Sequence, residues 1–336
     1  MLPAATTPAS PLAVWLIRAL LAALLLLGAE ILLWTDPVGR PVWEWLLLIP
    51  GYLCIATIAL DLMVRHRVRD FWGIMTTAGI CGLLIGVILN PATGLADLPR
   101  TLVTRITGAY TLLALEMLIF FLGLTGNQLR VLRWSLIVGA VIVGMAWGTW
   151  VRFAPEQTEI TFAPVSLGTM LVWGTGGVLI VVGLFALVSR YAKAVTPPDL
   201  LLSVREYAVV LPVLAVLLFI RVAQGVVDFP GIAFGAILLL ICYAILWFRR
   251  NTKKAITLDD HLPPRPLSPV WLLLTVAVLY WMGIFTYSLP MLGTLELNQL
   301  TVIVVGFALY GLAWLPTAAL FIGVRSYIRQ TQVPQI

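Results

Sequence analysis

The chain has 336 residues, 61% of them hydrophobic and only 11% charged, with a mean hydropathy of +1.03. A soluble domain carries about 25% charged residues, so this composition excludes a soluble enzyme. The net charge of +6 does not point to nucleic acid, because the basic residues lie in short stretches beside apolar segments, where they act as topology signals and contacts for anionic headgroups.

A span needs roughly 20 apolar residues to cross about 30 Å of hydrocarbon. Ten such segments are predicted, at 12–34, 42–64, 71–90, 106–124, 132–153, 165–189, 206–226, 229–248, 269–289 and 300–324. They fill the chain, so the expected fold is all-α: one polytopic membrane helix bundle over 1–336, with the lipid bilayer as its main partner. The first segment has no basic residue before Arg18, and Gly28 and Ala29 run straight into Glu30 and more apolar chain. That is a poor cleavage site, so the segment reads as a retained span rather than a signal peptide.

Asp36-Pro37 with Gly39 and Pro41 makes a tight first turn, and Asn90-Pro91 ends the third span. Thr196-Pro197-Pro198-Asp199 and Leu262-Pro263-Pro264 mark loops, and Asp228-Phe229-Pro230 closes a short hairpin. Residues 91–105 are predicted to form a short amphipathic helix on the outer surface. In the basic loop 249–268, Asp259, Asp260 and His261 read as solvated residues rather than a metal site. Pro50, Pro212 and Pro316 fall inside spans and predict kinks. No repeat is discernible between 1–153 and 165–336.

Alternate loops differ in charge. One set holds fifteen Lys and Arg, among them Arg65, Arg67, Arg69, Arg249, Arg250, Lys253 and Lys254; the other holds Arg40, Arg100, Arg105, Arg152 and Arg221. This bias predicts the first set, and with it both termini, on the cytoplasmic side of the cell membrane. Trp34, Trp43, Trp45, Trp72, Trp134, Trp150, Trp247 and Trp271 near span ends suit an aromatic belt. The pairs Gly82/Gly86, Gly144/Gly148 and Gly231/Gly235 predict close helix approach, and Gly174, Gly176 and Gly177 a packing groove. Cys54, Cys81 and Cys242 match no zinc or redox spacing and read as buried thiols.

The chemistry-bearing residues are the charges inside spans: Arg18, Glu30, Glu44, Asp61, Glu116 and Arg221. Each costs at least about 2.5 kcal/mol at the centre of a lone helix, so it is expected to face protein or water. The helical rise places Glu116 roughly 15 Å into the fourth span, near the midplane. It is read as a proton carrier or cation contact, with Arg221 and Glu30 as further candidates for a substrate or proton pathway. Arg18 and Asp61, toward the same end of a tight hairpin, are expected to form a structural ion pair.

Absences narrow the chemistry. His66 and His261 are the only histidines and both lie in loops, and no span contains lysine. Intramembrane haem ligation, a retinal Schiff base and an intramembrane zinc centre therefore have no ligands, and no nucleotide-binding signature occurs. No cofactor, metal or catalytic residue is expected. The first expectation is a small permease with an intramembrane carboxylate. The second is a non-catalytic membrane subunit, in a larger complex or a homo-oligomer. An enzyme acting on lipid, with Asp36 near its site, is the third.

Overall fold

The computed structural model describes residues 9–35, 37–126, 130–153, 165–248, 256–264, 267–289 and 295–331. Among the described residues no β-strand occurs, and ten helices are long and apolar enough to cross a membrane. They are α1 (Pro11–Leu32), α2 (Val42–Arg65), α3 (Phe71–Leu89), α4 (Leu102–Thr125), α5 (Arg130–Phe153), α6 (Leu167–Tyr191), α7 (Val204–Ala223), α8 (Phe229–Trp247), α9 (Pro269–Ser288) and α10 (Leu295–Thr331). Successive helices alternate in direction, so α1 begins and α10 ends at one end of the bundle, the terminal end. The α1–α2 turn lies at the opposite, far end.

Local chemistry explains where several helices start. The Ser10 hydroxyl accepts from the Ala13 N–H ahead of Pro11, Asp70 accepts from Gly73, Ser166 from Thr169, and Asp228 from Gly231. Each side chain satisfies one of the orphan donors of a first turn. At α7 the Ser203 and Glu206 side chains close a reciprocal capping box.

The helices form two shells. In the inner one α1 packs on α2, α2 on α3, α3 on α4, and α4 back on α1. Around it α6 lies on α1, α7 on α2, α8 on α3, and α10 on both α3 and α4; α5 lies on α4, and α9 on α5 and α6. Between 67 and 89% of the residues in the inner spans are buried, against 17 to 33% in α6–α10. The outer helices therefore present apolar side chains to their surroundings, which suits lipid.

Small residues set the closest contacts, as their spacing predicts. A Cβ on Gly82 would lie 2.6 Å from the Thr111 Cα on α4, and one on Gly235 would lie 2.9 Å from Val87 on α3. A Cβ on Gly144 would meet the Leu279 carbonyl at 2.5 Å, and one on Gly148 the Gly283 carbonyl at 2.1 Å, so the backbones of α5 and α9 nearly touch. Gly174 and Gly177 pack against Trp147 and against Leu27 and Ile31, whereas Gly176 meets nothing within 4 Å. The three cysteines are buried and free.

Two expectations need correction. Residues 91–105 do not form a separate surface helix. Pro91–Gly94 is a single turn, Leu95 and Thr101 are buried, and from Leu102 the chain already belongs to α4. The second concerns the trio in the α8–α9 connection. Asp259 and Asp260 are exposed, but His261 is buried, with Nδ1 2.6 Å from the Thr257 carbonyl. The connection is seated by the Thr257 N–H donating to the Val68 carbonyl at 2.8 Å, so the ring turns into protein rather than water. Burial pulls the imidazole below its ordinary value, against the Thr257 carbonyl and Asp260.

The α5–α9 contact predicts that Gly148→Ala lowers stability by about 1–3 kcal/mol, the usual result of adding bulk to a closed contact. Gly176→Ala should leave it unchanged. Thermal unfolding of the detergent-purified variants compares the two; equal midpoints would contradict the packing.

Candidate functional site

Three inner helices widen at the far end. At Leu27–Leu32, Ile85–Leu89 and Leu102–Tyr110 the helix is π-helical. The Leu33 N–H donates to Gly28, Thr35 to Glu30 and Asn90 to Ile85, each across five residues. Such turns often mark functional sites. Here they converge on one polar cluster.

Glu30, in the widened turn of α1, is wholly enclosed. Its Oε1 accepts from the Tyr52 hydroxyl of α2 and, at 2.6 Å, from the Asn90 amide at the end of α3. Its Oε2 lies 2.8 Å from Arg40 Nη1 in the α1–α2 turn. The other Arg40 nitrogens reach the Thr35 carbonyl at 3.0 Å, Asn90 Oδ1 at 3.1 Å and Glu44 at 3.6 Å. Glu44 is 3.5 Å from Arg221 at the end of α7, and Arg221 also donates to the Leu89 carbonyl at 3.2 Å and to Gln224 at 3.1 Å. Glu30, Arg40, Glu44 and Arg221 thus alternate in sign from the interior outward. Nearby the Tyr110 and Thr93 hydroxyls share a 2.7 Å hydrogen bond.

Glu116 is placed differently. It sits midway along α4, half-buried, where the inner shell meets α5 and α10. Its carboxylate lies against Gly139, whose added Cβ would stand 3.2 Å from Oε2. Among the described residues nothing hydrogen-bonds or ion-pairs with it. It lines a crevice with Leu112, Leu113, Ile142, Trp147 and Phe307, among others. The Tyr310 hydroxyl of α10, within electrostatic range of Glu116, is buried without a hydrogen-bond partner, and so is the indole N–H of Trp147. By contrast, the buried Trp314 indole donates to the Thr107 carbonyl at 2.9 Å.

The expected Arg18–Asp61 pair is not what the structure shows. Arg18 pairs with Glu206 at the start of α7 and lies 4.7 Å from the Trp15 ring centroid. Asp61 binds Arg65 through both oxygens at 2.8 and 2.9 Å, and also accepts from the Leu202 N–H at 2.8 Å and the Tyr207 hydroxyl at 2.6 Å. The polar entrance to α7 sits over the α1–α2 hairpin and supplies partners to both residues. The Ser203-x-x-Glu206 capping spacing was the legible sign of that entrance.

Of the three pathway candidates, Glu30 and Arg221 belong to one network and Glu116 to another place. Arg40, Tyr52 and Asn90, which complete the network, read in sequence as a turn charge, a span aromatic and a helix stop. Asp36 lies outside the described residues, as do Arg249, Arg250, Lys253 and Lys254. Among the described residues no three His, Cys, Asp or Glu side chains gather as metal ligands.

The network predicts a clear asymmetry. Removing one partner of a buried pair costs about 3–5 kcal/mol, because the other charge is left alone. Arg40→Met should therefore strongly lower the unfolding temperature. Adding Glu30→Gln, which keeps an acceptor for Tyr52 and Asn90, should restore most of the loss. Additive losses in the double variant would rule out the pairing.

No family model, curated protein or solved structure matches the chain.

Proposed function

We propose that this chain is a small permease of the cell membrane that couples solute movement to protonation of, or cation binding at, Glu116. The observation that carries the reading is the carboxylate's lack of a partner. A glutamate kept for helix packing would be hydrogen-bonded or paired, as Glu30 and Asp61 are. A carboxylate held midway along an apolar span with no partner among the described residues is costly, so its retention favours a working role. Its position supports the same reading, since it lies where the inner four helices meet α5 and α10 and lines an open crevice.

The second reading, a subunit of a larger assembly, draws on the exposed apolar faces of α6–α10, but lipid covers such faces equally well. The charge bias between loops places both termini in the cytoplasm in this proposal. Fusions of a cytoplasm-active fluorescent reporter to either end should both be active, and fusions of a phosphatase that works only outside should both be silent. Opposite results at the two ends would refute the topology.

Glu116→Gln should abolish proton- or cation-driven uptake in sealed vesicles, while Glu116→Asp retains part of it and the unfolding temperature of both stays near that of the parent. Full uptake by the glutamine variant would defeat the assignment.

A further inference from the structure

The crevice at Glu116 has a chemistry of its own. It is walled by Leu32 and Leu33 of α1, Leu112 and Leu113 of α4, Ile142 and Val143 of α5 and Phe307 of α10. The cavity itself is ≈ 50 Å³, and its unfilled space is ≈ 450 Å³ with the open mouth counted. Ile142, at mid-helix in α5, is exposed at this mouth. The crevice therefore opens on the flank of the bundle, not at an end, and an occupant would arrive from the bilayer.

Three polar groups interrupt these apolar walls or lie beside them, and none has a partner among the described residues. They are the Glu116 carboxylate, the indole N–H of Trp147, which is 1% exposed, and the Tyr310 hydroxyl. A closed apolar cavity has no use for such groups. A pocket that orients a ligand combines apolar walls with a few convergent polar points. One negative charge calls for one positive charge, and apolar walls with a lateral mouth call for apolar substituents around it.

We propose that this crevice binds a monovalent lipophilic organic cation, drawn from the bilayer, with Glu116 as its counter-charge. The proposal deepens the permease reading and names the class of its substrate. At full ionisation the ligand's charge replaces the missing partner of Glu116, and its apolar groups complete the walls. No covalent step is involved.

The test is equilibrium binding of radiolabelled benzyltrimethylammonium to the purified full chain in uncharged detergent, with neopentylbenzene, of the same shape and no charge, as competitor. The parent should bind one equivalent saturably, and neopentylbenzene should not displace it. Glu116→Gln should weaken binding at least about tenfold, as for truncating one side of a close charge pair, and Glu116→Asp should keep most of it. Ala146→Phe adds bulk to the crevice lining while leaving Glu116 in place and should abolish binding. Circular dichroism and the unfolding midpoint confirm that each variant is folded.

Absence of saturable binding by the parent overturns the proposal. So does displacement by neopentylbenzene as effective as by unlabelled benzyltrimethylammonium, or unchanged binding in both Glu116→Gln and Ala146→Phe. Because binding is measured without a gradient, its failure is separate from failure of the permease reading. A site that binds but does not transport refutes the latter alone, and coupled uptake of another solute without this binding refutes only the former.

Discussion

The far end of the bundle is organised around one enclosed carboxylate. Glu30 has no access to solvent, and an isolated ionised carboxylate in an apolar interior is among the most costly arrangements a protein can hold. Arg40 supplies the opposing charge, and Tyr52 and Asn90 the donors for the second oxygen. Bringing those groups together fixes much else. The α1–α2 turn must fold back over the end of α1, α3 must stop at Asn90, and α1 must widen at Leu27–Leu32, the turn that holds Glu30. The network continues through Glu44 to Arg221 and so ties α7 to the inner helices. The Arg18–Glu206 pair and the Asp61 cluster do the corresponding work at the terminal end. Two polar clamps thus hold α7 against α1 and α2, although most of its own surface is exposed.

Much of this architecture was legible in the sequence, and the limit of legibility has a physical form. The ten helices follow from uninterrupted apolar length, and their contacts from the small-residue pairs. Asp61 and Arg18 were recognisable as charges needing partners, but the hairpin rule names only the neighbouring helix. It does not show that the first turn of α7 lies across that hairpin. The π-helical turns left no sign, because inserting one residue changes neither apolar content nor length. Glu30 therefore read as a candidate for a substrate or proton pathway, when the widened turn holds it inside a paired network. Glu116 was visible because it is a lone charge far from any interface, and the structure adds that nothing among the described residues pairs with it.

The two shells differ in how they are held. The inner four helices share both clamps and the densest burial. The contact of α5 with α9 is a close backbone seam, set by Gly144 and Gly148 against Leu279 and Gly283, and is tied at its far end by Arg152, which donates to the Tyr287 and Leu289 carbonyls. Packing of that kind specifies position without strong attraction, since lipid tails and side chains are equally apolar. Glu116 lies on the boundary between these regimes.

That placement separates the carboxylates by role. A ligand shifts an equilibrium only through interactions that differ between the two states. Glu30 and Asp61 already have every interaction that a cation could offer them, so a ligand gains little there and would have to break an existing pair first. Glu116 offers an unspent interaction, and it offers it where the inner shell meets α5. In the proposed reading, a charge that enters the crevice pairs with a carboxylate that has no other partner among the described residues. Among the acids inside the described spans, Glu116 is thus the one whose carboxylate still has its strongest interaction to make.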